Sequence, residues 1–229
     1  MNIIVNGGTR GIGKEVVICL AQDSGNHILV TGRNEASLKS LSVQFKNVHT
    51  MTVDLSVFDN QIEAFREKVN TYLTKVDIIV NIAGFLVLKD FTDMTNNEAR
   101  LIMETNFFGP ASVIRVIKPI MTKGSHIVNI SSMGGFQGSS KYKGLSYYSA
   151  SKAALICLSE CLAEEFKDTG ISVNCLALGA VQTEMFEEAF PGYKAPVCAK
   201  DVAEFISDFA LKGQKLFNGK IIPVAVSNP

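Results

Sequence analysis

The sequence predicts an α/β fold: a doubly wound parallel sheet of seven strands with helices on both faces. Three observations predict it. Short runs rich in β-branched residues alternate with longer segments of helical spacing from end to end. The strand runs are continuously apolar, as strands buried on both faces must be. Glycines and polar residues collect where those runs end, which is where open α/β sheets bind ligands.

The elements follow in order. Asn2–Val5 is a first strand, and Ile12–Gln22 is an amphipathic helix behind a glycine-rich turn. His27–Thr31 pairs with helix Glu35–Phe45, Val48–Val53 with Asn60–Leu73, and Val76–Asn81 with a long helix, Asn96–Met121. Ser125–Ile130 is followed by helix Tyr147–Lys167, in which Ala153, Ala154, Leu155, Leu158 and Leu162 recur at spacings near three and four. Ile171–Leu176, helix Lys200–Leu211 and strand Lys220–Val224 complete the series. No repeat, low-complexity stretch or linker interrupts it, so residues 1–229 read as one domain.

Composition bounds the function. At 47% hydrophobic and 19% charged residues the chain is globular. Its formal net charge of zero supplies no basic field for nucleic acid or an anionic membrane. The start, MNIIVNGG, is a strand followed at once by glycines and lacks the parts of a signal peptide. No run approaches the ~18 apolar residues of a membrane span, and a cytoplasmic location is expected. The five cysteines, Cys19, Cys157, Cys161, Cys175 and Cys198, have no C-x-x-C spacing and read as reduced core residues. His27, His49 and His126 stand at strand ends and read as surface residues, so no metal site is expected.

Two regions carry chemistry. Asn6-Gly7-Gly8-Thr9-Arg10-Gly11-Ile12-Gly13 joins the first strand to the first helix. Glycines there allow a tight turn and let a pyrophosphate approach the backbone and helix N-terminus. At the end of the second strand an NAD site usually carries an acid for the ribose hydroxyls. This chain has Thr31-Gly32-Arg33-Asn34 instead. Arg33 with Arg10 suits a 2′-phosphate, so NADP(H) is the expected cofactor. Asp54, in Val53-Asp54-Leu55, is positioned to accept from an adenine amino group or to cap a turn.

The second region is Ser146-Tyr147-Tyr148-Ser149-Ala150-Ser151-Lys152. On a helix, residues four apart share a face, which puts Tyr148 beside Lys152 and turns Tyr147 away. A cation about 4 Å off, at an effective dielectric of about 20, is worth roughly 4 kcal/mol and would lower a tyrosine pKa by up to ~3. A depressed Tyr148 pKa is therefore expected.

Together these residues resemble the short-chain dehydrogenase/reductase family along nearly the whole chain. The glycine turn is similar to its T-G-x-x-x-G-I-G, with Asn6 in the threonine's place. Val80-Asn81-Ile82-Ala83-Gly84 resembles its N-N-A-G, and Thr105-Asn106-Phe107-Phe108-Gly109 its helix asparagine segment. Ile130-Ser131-Ser132 resembles the serine loop, Tyr148 to Lys152 the Y-x-x-x-K, and Asn174 to Thr183 the N-x-x-x-P-G-x-x-x-T, with Leu178 for proline. The resemblance implies a single Rossmann-type domain and a tetrad of Asn106, Ser132, Tyr148 and Lys152. Tyr148 would protonate a carbonyl oxygen that Ser132 holds, Lys152 would bind the nicotinamide ribose, and Asn106 would anchor a water. Gly7, Thr9, Arg10, Gly11, Ile12, Gly13, Arg33, Asp54, Leu55, Asn81, Ala83, Gly84, Gly179, Val181 and Thr183 would contact NADP(H), along with Tyr148 and Lys152. It also implies a small carbonyl or alcohol substrate and a homodimer or homotetramer paired through Asn96–Met121 and Tyr147–Lys167.

The departures are local. Ser132 and Tyr148 lie sixteen positions apart, where the family usually has about thirteen, so the loop Phe136–Leu145 is longer and is expected to shape the substrate entrance. The segment after Thr183 is short, which predicts a reduced lid. Phe85, Leu86, Met133, Phe136, Met185 and Phe186 are candidates for an apolar wall. Two other classes fit parts of the pattern. A non-catalytic NADP(H)-binding sensor would need no Tyr148–Lys152 pair, and a sugar-nucleotide epimerase would have G-x-x-G-x-x-G and a larger C-terminal part.

Overall fold

Ile3, Ile4 and Val5 are all fully buried, and so are Ile28 to Val30 and Ile78 to Val80. Successive side chains of a strand point to opposite faces, so runs buried throughout must be covered on both sides. The computed structural model, which describes residues 1–226, has that arrangement. Its parallel sheet is formed by β1 (Asn2–Asn6), β2 (His27–Gly32), β3 (Val48–Thr52), β4 (Val76–Asn81), β5 (Met121–Ser132), β6 (Ser172–Leu178) and the last strand, β9 (Ile221–Val224). Their order is β3-β2-β1-β4-β5-β6-β9. This is a Rossmann-type α/β sheet, and its direction of winding reverses between β1 and β4, which opens a crevice at the strand ends.

The core is split by the sheet. On one face α1 (Gly11–Ala21), α2 (Glu35–Gln44) and α8 (Ala199–Lys212) pack Val16, Leu20, Leu38 and Ile206 against Ile3, Val5 and Ile28. On the other, α3 (Ile62–Tyr72), α5 (Gly109–Ile117) and α6 (Ser146–Glu165) bring Phe65, Val69, Val113 and Ala163 onto Ile4, Leu29 and Ile79. A row of buried polar side chains crosses this second face. Thr31 Oγ1 donates to Asn6 Oδ1 (2.8 Å), Asn6 Nδ2 to Asn81 Oδ1 (2.7 Å), Asn81 Nδ2 to Asn129 Oδ1 (2.8 Å) and Asn129 Nδ2 to Ser159 Oγ on α6 (2.9 Å). Each bonded strand pair is in direct register, Thr31 with Asn6, Asn6 with Asn81 and Asn81 with Asn129.

Several sequence expectations need correction. The helix expected over Asn96–Met121 is α4 (Asn96–Met103), a π-helical turn over Glu104–Phe108, α5 and a 3-10 turn, after which Met121 already belongs to β5. Two short strands, β7 (Val181–Gln182) and β8 (Val197–Cys198), pair parallel, and between them stands a six-residue helix, α7 (Glu184–Ala189). His126 is not a surface residue. It is fully buried in β5 and bonded to Ala210 O (3.0 Å) and Asn174 Nδ2 (2.9 Å). Of the cysteines only Cys175 is a core residue; Cys19 is half-buried and Cys157, Cys161 and Cys198 are exposed thiols. Among the described residues no helix is long and apolar enough to cross a membrane.

Candidate active site

The glycine turn is shaped by close backbone approach. A Cβ on Gly13 would lie 2.0 Å from Gly7 O, and one on Gly7, whose φ is +95°, would lie 2.5 Å from Ala83 N. No L side chain fits either place, so glycine at both lets the turn fold tightly on itself and against Ala83. Arg10 occupies the N-cap of α1 and provides no side-chain cap, and the first turn carries no acid. The free N–H groups and the positive end of the helix dipole thus face outward, a ready site for a phosphate. Asp54 uses Oδ1 to cap the turn after β3, accepting from Ser56 N (2.9 Å) and Ser56 Oγ (2.7 Å).

This turn forms one end of a cavity of about 690 Å³. Gly7, Thr9, Arg10, Gly11, Ile12, Gly13, Arg33, Asp54 and Leu55 line that end, Ala83 and Gly84 the middle, and Gly179, Val181 and Thr183 one side. Ser132, Tyr148 and Lys152 line the other end, with Leu86, Met133, Tyr142, Leu145, Met185 and Phe186. Of the expected site residues, Asn81 and Asn106 alone are off the cavity surface: Asn81 belongs to the buried amide row and Asn106 is fully buried. Phe85 and Phe136 are not part of the apolar wall. Sequence reasoning missed Thr31 and Glu184, which also line the cavity. Thr31 immediately precedes Gly32 and Arg33 at a strand end, a signal that could have found it.

Helix α6 presents Tyr148 and Lys152 one turn apart on the cavity side, while Tyr147 faces away and stacks on Phe91 at 5.7 Å. Lys152 is buried, and its Nζ donates to Ile130 O (2.9 Å) and stands 6.0 Å from the centre of the Tyr148 ring. Burial pulls its pKa down to about 8. The Tyr148 pKa is raised by burial, which outweighs the opposing hydrogen bond with Ser132. The expected depression by Lys152 is therefore absent: the ammonium is turned to the Ile130 carbonyl, and burial of the phenol dominates. Ser132 Oγ accepts from Gly134 N (3.1 Å), which anchors the hydroxyl beside Tyr148.

Asn106 sits in the π-helical turn, where the extra residue per turn rotates its side chain inward. Its Oδ1 accepts from Phe85 N (2.7 Å), and its Nδ2 donates to Phe85 O (2.9 Å) and to Ser151 Oγ (2.9 Å). The amide thus ties the segment after β4 to the residue preceding Lys152. The long loop contributes Tyr142 and Leu145 to the cavity and is tied to the chain after β4 by Lys89 N→Gly144 O (3.0 Å) and a Lys143–Asp90 ion pair (3.0 Å).

Comparison with known proteins identifies the family and the fold. The family model for short chain dehydrogenase matches residues 1–194. The chain is similar to the uncharacterized oxidoreductase YvrD of Bacillus subtilis, 32% identical over 212 residues, which cover 90% of this chain and 78% of that protein. Its fold is similar to that of a dehydrogenase/reductase from Sinorhizobium meliloti, with a TM-score of 0.85 at 26% identity over 98% of this chain and 93% of the other. A short chain dehydrogenase from Burkholderia cenocepacia, solved in complex with NADP, shares the fold with a TM-score of 0.85 at 23% identity over 97% and 95%. With the glycine turn, the Tyr148–Lys152 helix and the parallel sheet in one arrangement, the chain belongs to the short-chain dehydrogenase/reductase family of oxidoreductases.

Proposed function

We propose that this oxidoreductase interconverts a carbonyl and an alcohol with NADP(H), using Tyr148 as the acid and base. The observation that carries the reading is the convergence of Ser132, Tyr148 and Lys152 on one cavity with the glycine turn and two arginines. The tight glycine turn and the uncapped α1 N-terminus fit a pyrophosphate, and Arg10 and Arg33, with no acid at the end of β2, fit a 2′-phosphate. Bound NADPH would supply the hydride that reduces the carbonyl carbon. Ser132 holds the carbonyl oxygen by hydrogen bond. Tyr148, whose raised pKa keeps the phenol protonated at neutral pH, delivers its proton to that oxygen, and the phenolate left behind is stabilised by the Lys152 ammonium. Asn106 acts by positioning, through Ser151 and Phe85. In the reverse direction the phenolate takes the alcohol proton.

The wall formed by Leu86, Met133, Leu145, Met185 and Phe186 supports an uncharged apolar substrate. One domain would carry both cofactor and substrate. Pairing of α4, α5 and α6 with a second copy completes the reading; Phe108, 48% exposed between α4 and α5, is suited to it.

The test is oxidation of NADPH and NADH over a panel of apolar ketones and aldehydes, with Tyr148→Phe alongside. Turnover with NADPH that falls by about 10²–10⁴ in the variant, with cofactor binding retained, is the expected result. Full activity without the phenol, or binding of NADPH with no turnover of any carbonyl, would overturn the assignment of Tyr148.

A further inference from the structure

Helix α7 has the sequence EMFEEA, three acids and no base, and buries none of its residues. It rises from an excursion whose base is closed by the β7–β8 pair, Val181 with Val197 and Gln182 with Cys198. Gln182 holds both ends of that excursion, accepting from Ala195 N (2.7 Å) and donating to Glu187 Oε1 (2.7 Å). Thr183 caps the helix by accepting from Phe186 N (3.2 Å). The other two acids point to the glycine turn. Glu188 Oε1 accepts from Arg10 Nη1 at 2.8 Å, and Glu184 Oε2 comes within 3.3 Å of where a Cβ on Gly11 would stand. Gly11 opens α1, whose first turn has no acid or capping side chain of its own.

We infer that α7 is an anion-bearing strap that competes with the cofactor for its phosphate positions, Glu188 at Arg10 and Glu184 at the N-terminus of α1. The inference rests on the cofactor reading above. A dinucleotide that places a pyrophosphate at α1 and a 2′-phosphate at Arg10 meets two carboxylates already there, and like charges repel. Cofactor entry therefore requires α7 to lift, which breaks the Arg10–Glu188 ion pair. The two acids act on different parts of the ligand. Glu188 penalises only a dinucleotide that carries the 2′-phosphate, whereas Glu184 penalises NADPH and NADH alike. The strap thus lowers affinity, and Glu188 also narrows the margin by which NADPH is preferred.

Titration of the full chain with NADPH and with NADH, in the absence of any carbonyl substrate, tests this through dissociation constants. Because both residues of the Arg10–Glu188 pair are largely exposed (45% and 64%), Glu188→Gln should tighten NADPH by roughly two- to fivefold and leave NADH unchanged. Glu184→Gln should tighten both dinucleotides by a similar factor, and Glu187→Gln, whose carboxylate is held by Gln182, should tighten neither. The gains should shrink as salt is added. Gln variants that bind as the wild type does, or an equal gain in Glu187→Gln, would overturn the strap while leaving the cofactor reading intact. A wild-type protein that binds neither dinucleotide would overturn both.

Discussion

Lowering the pH from 7 to 5 should cost the fold about 2 kcal/mol through a single buried imidazole. His126 has no exposed surface, and its two ring nitrogens face Ala210 O (3.0 Å) and Asn174 Nδ2 (2.9 Å). The Asn174 amide cannot turn over, because its Oδ1 accepts from Lys220 N (3.0 Å) and its Nδ2 also donates to Phe217 O (3.0 Å). Only the neutral ring with its proton on Nδ1 satisfies both partners; a second proton on Nε2 would confront an amide N–H. Burial pushes the pKa down from 6.5 to about 4. The unfolded chain therefore takes up this proton first. Stability is complete above about pH 6.5 and is lost as pH falls from there toward about 4. Integration gives a loss of about 2 kcal/mol by pH 5 and about 3 kcal/mol by pH 4, against a total of about 5–15 kcal/mol for a typical domain. Urea denaturation at pH 7, 6 and 5 measures the loss, with His126→Gln as the comparison. His49, also lowered by burial, adds a slope of the same sign that both proteins share, so the difference between the curves belongs to His126. A ring proton resonance titrating near the ordinary histidine value, or wild-type and variant curves that run parallel, would refute the reasoning. The resonance gives an answer even if the variant fails to fold.

Three further outcomes are expected. Asn81→Ala strands Asn6 Nδ2 and Asn129 Oδ1 in the core and should cost about 2–6 kcal/mol, read from the urea midpoint. Gly13→Ala forces a methyl to within 2.0 Å of Gly7 O; it should lower stability by about 1–3 kcal/mol or more and weaken NADPH binding, measured by thermal unfolding and titration. Lys152 is charged below its pKa of about 8 but stays charged to 10.5 when unfolded, so its burial penalty should ease as pH rises from 8. Cys175, pushed up to about 12 from 9.0, acts with the opposite sign above pH 9, so the interval from pH 8 to 9 isolates the lysine. Lys152→Met should abolish that rise and be more stable than the wild type at pH 7 by up to about 3 kcal/mol, an upper bound because Ile130 O loses its donor.

The strands were legible because a parallel sheet buried on both faces demands unbroken apolar runs, and Ile3–Val5, Ile28–Val30 and Ile78–Val80 supply them. The cavity was legible where a motif fixes backbone, as at Gly7 and Gly13, or where helical spacing fixes a pair, as at Tyr148 and Lys152. Other features depend on contacts distant in sequence. The π-helical turn around Asn106 leaves the periodicity of 96–121 nearly unchanged, since one extra residue only rotates the pattern. His126 begins the apolar part of β5, and its burial follows from α8 packing over it, with its Ala210 partner 84 positions away. Cys157 and Cys161 share the apolar spacing of α6 yet lie on its exposed side, because the helix buries Leu155, Ser159 and Ala163 instead. The direction of Lys152 Nζ toward Ile130 O depends on where β5 ends relative to α6, which spacing within the helix does not encode.

The amide row across β2, β1, β4 and β5 has a consequence for how the chain finds this sheet. Runs of isoleucine, leucine and valine are nearly interchangeable neighbours, so sliding one parallel strand along the next by two residues preserves the inward and outward faces and costs little in apolar contact. Such a slide would carry an asparagine out of reach of its partner and set an unpaired amide against aliphatic side chains, at about 1–3 kcal/mol for each group left unbonded. Thr31, Asn6, Asn81 and Asn129 therefore work as alignment pins. They bring four strands to a common level; the glycine turn leaves the sheet at that level, the Ala83–Gly84 segment just beyond it, and the serine loop three residues further along β5. The precision of the cavity floor is thus set one layer beneath it, by residues that mostly lie off its surface.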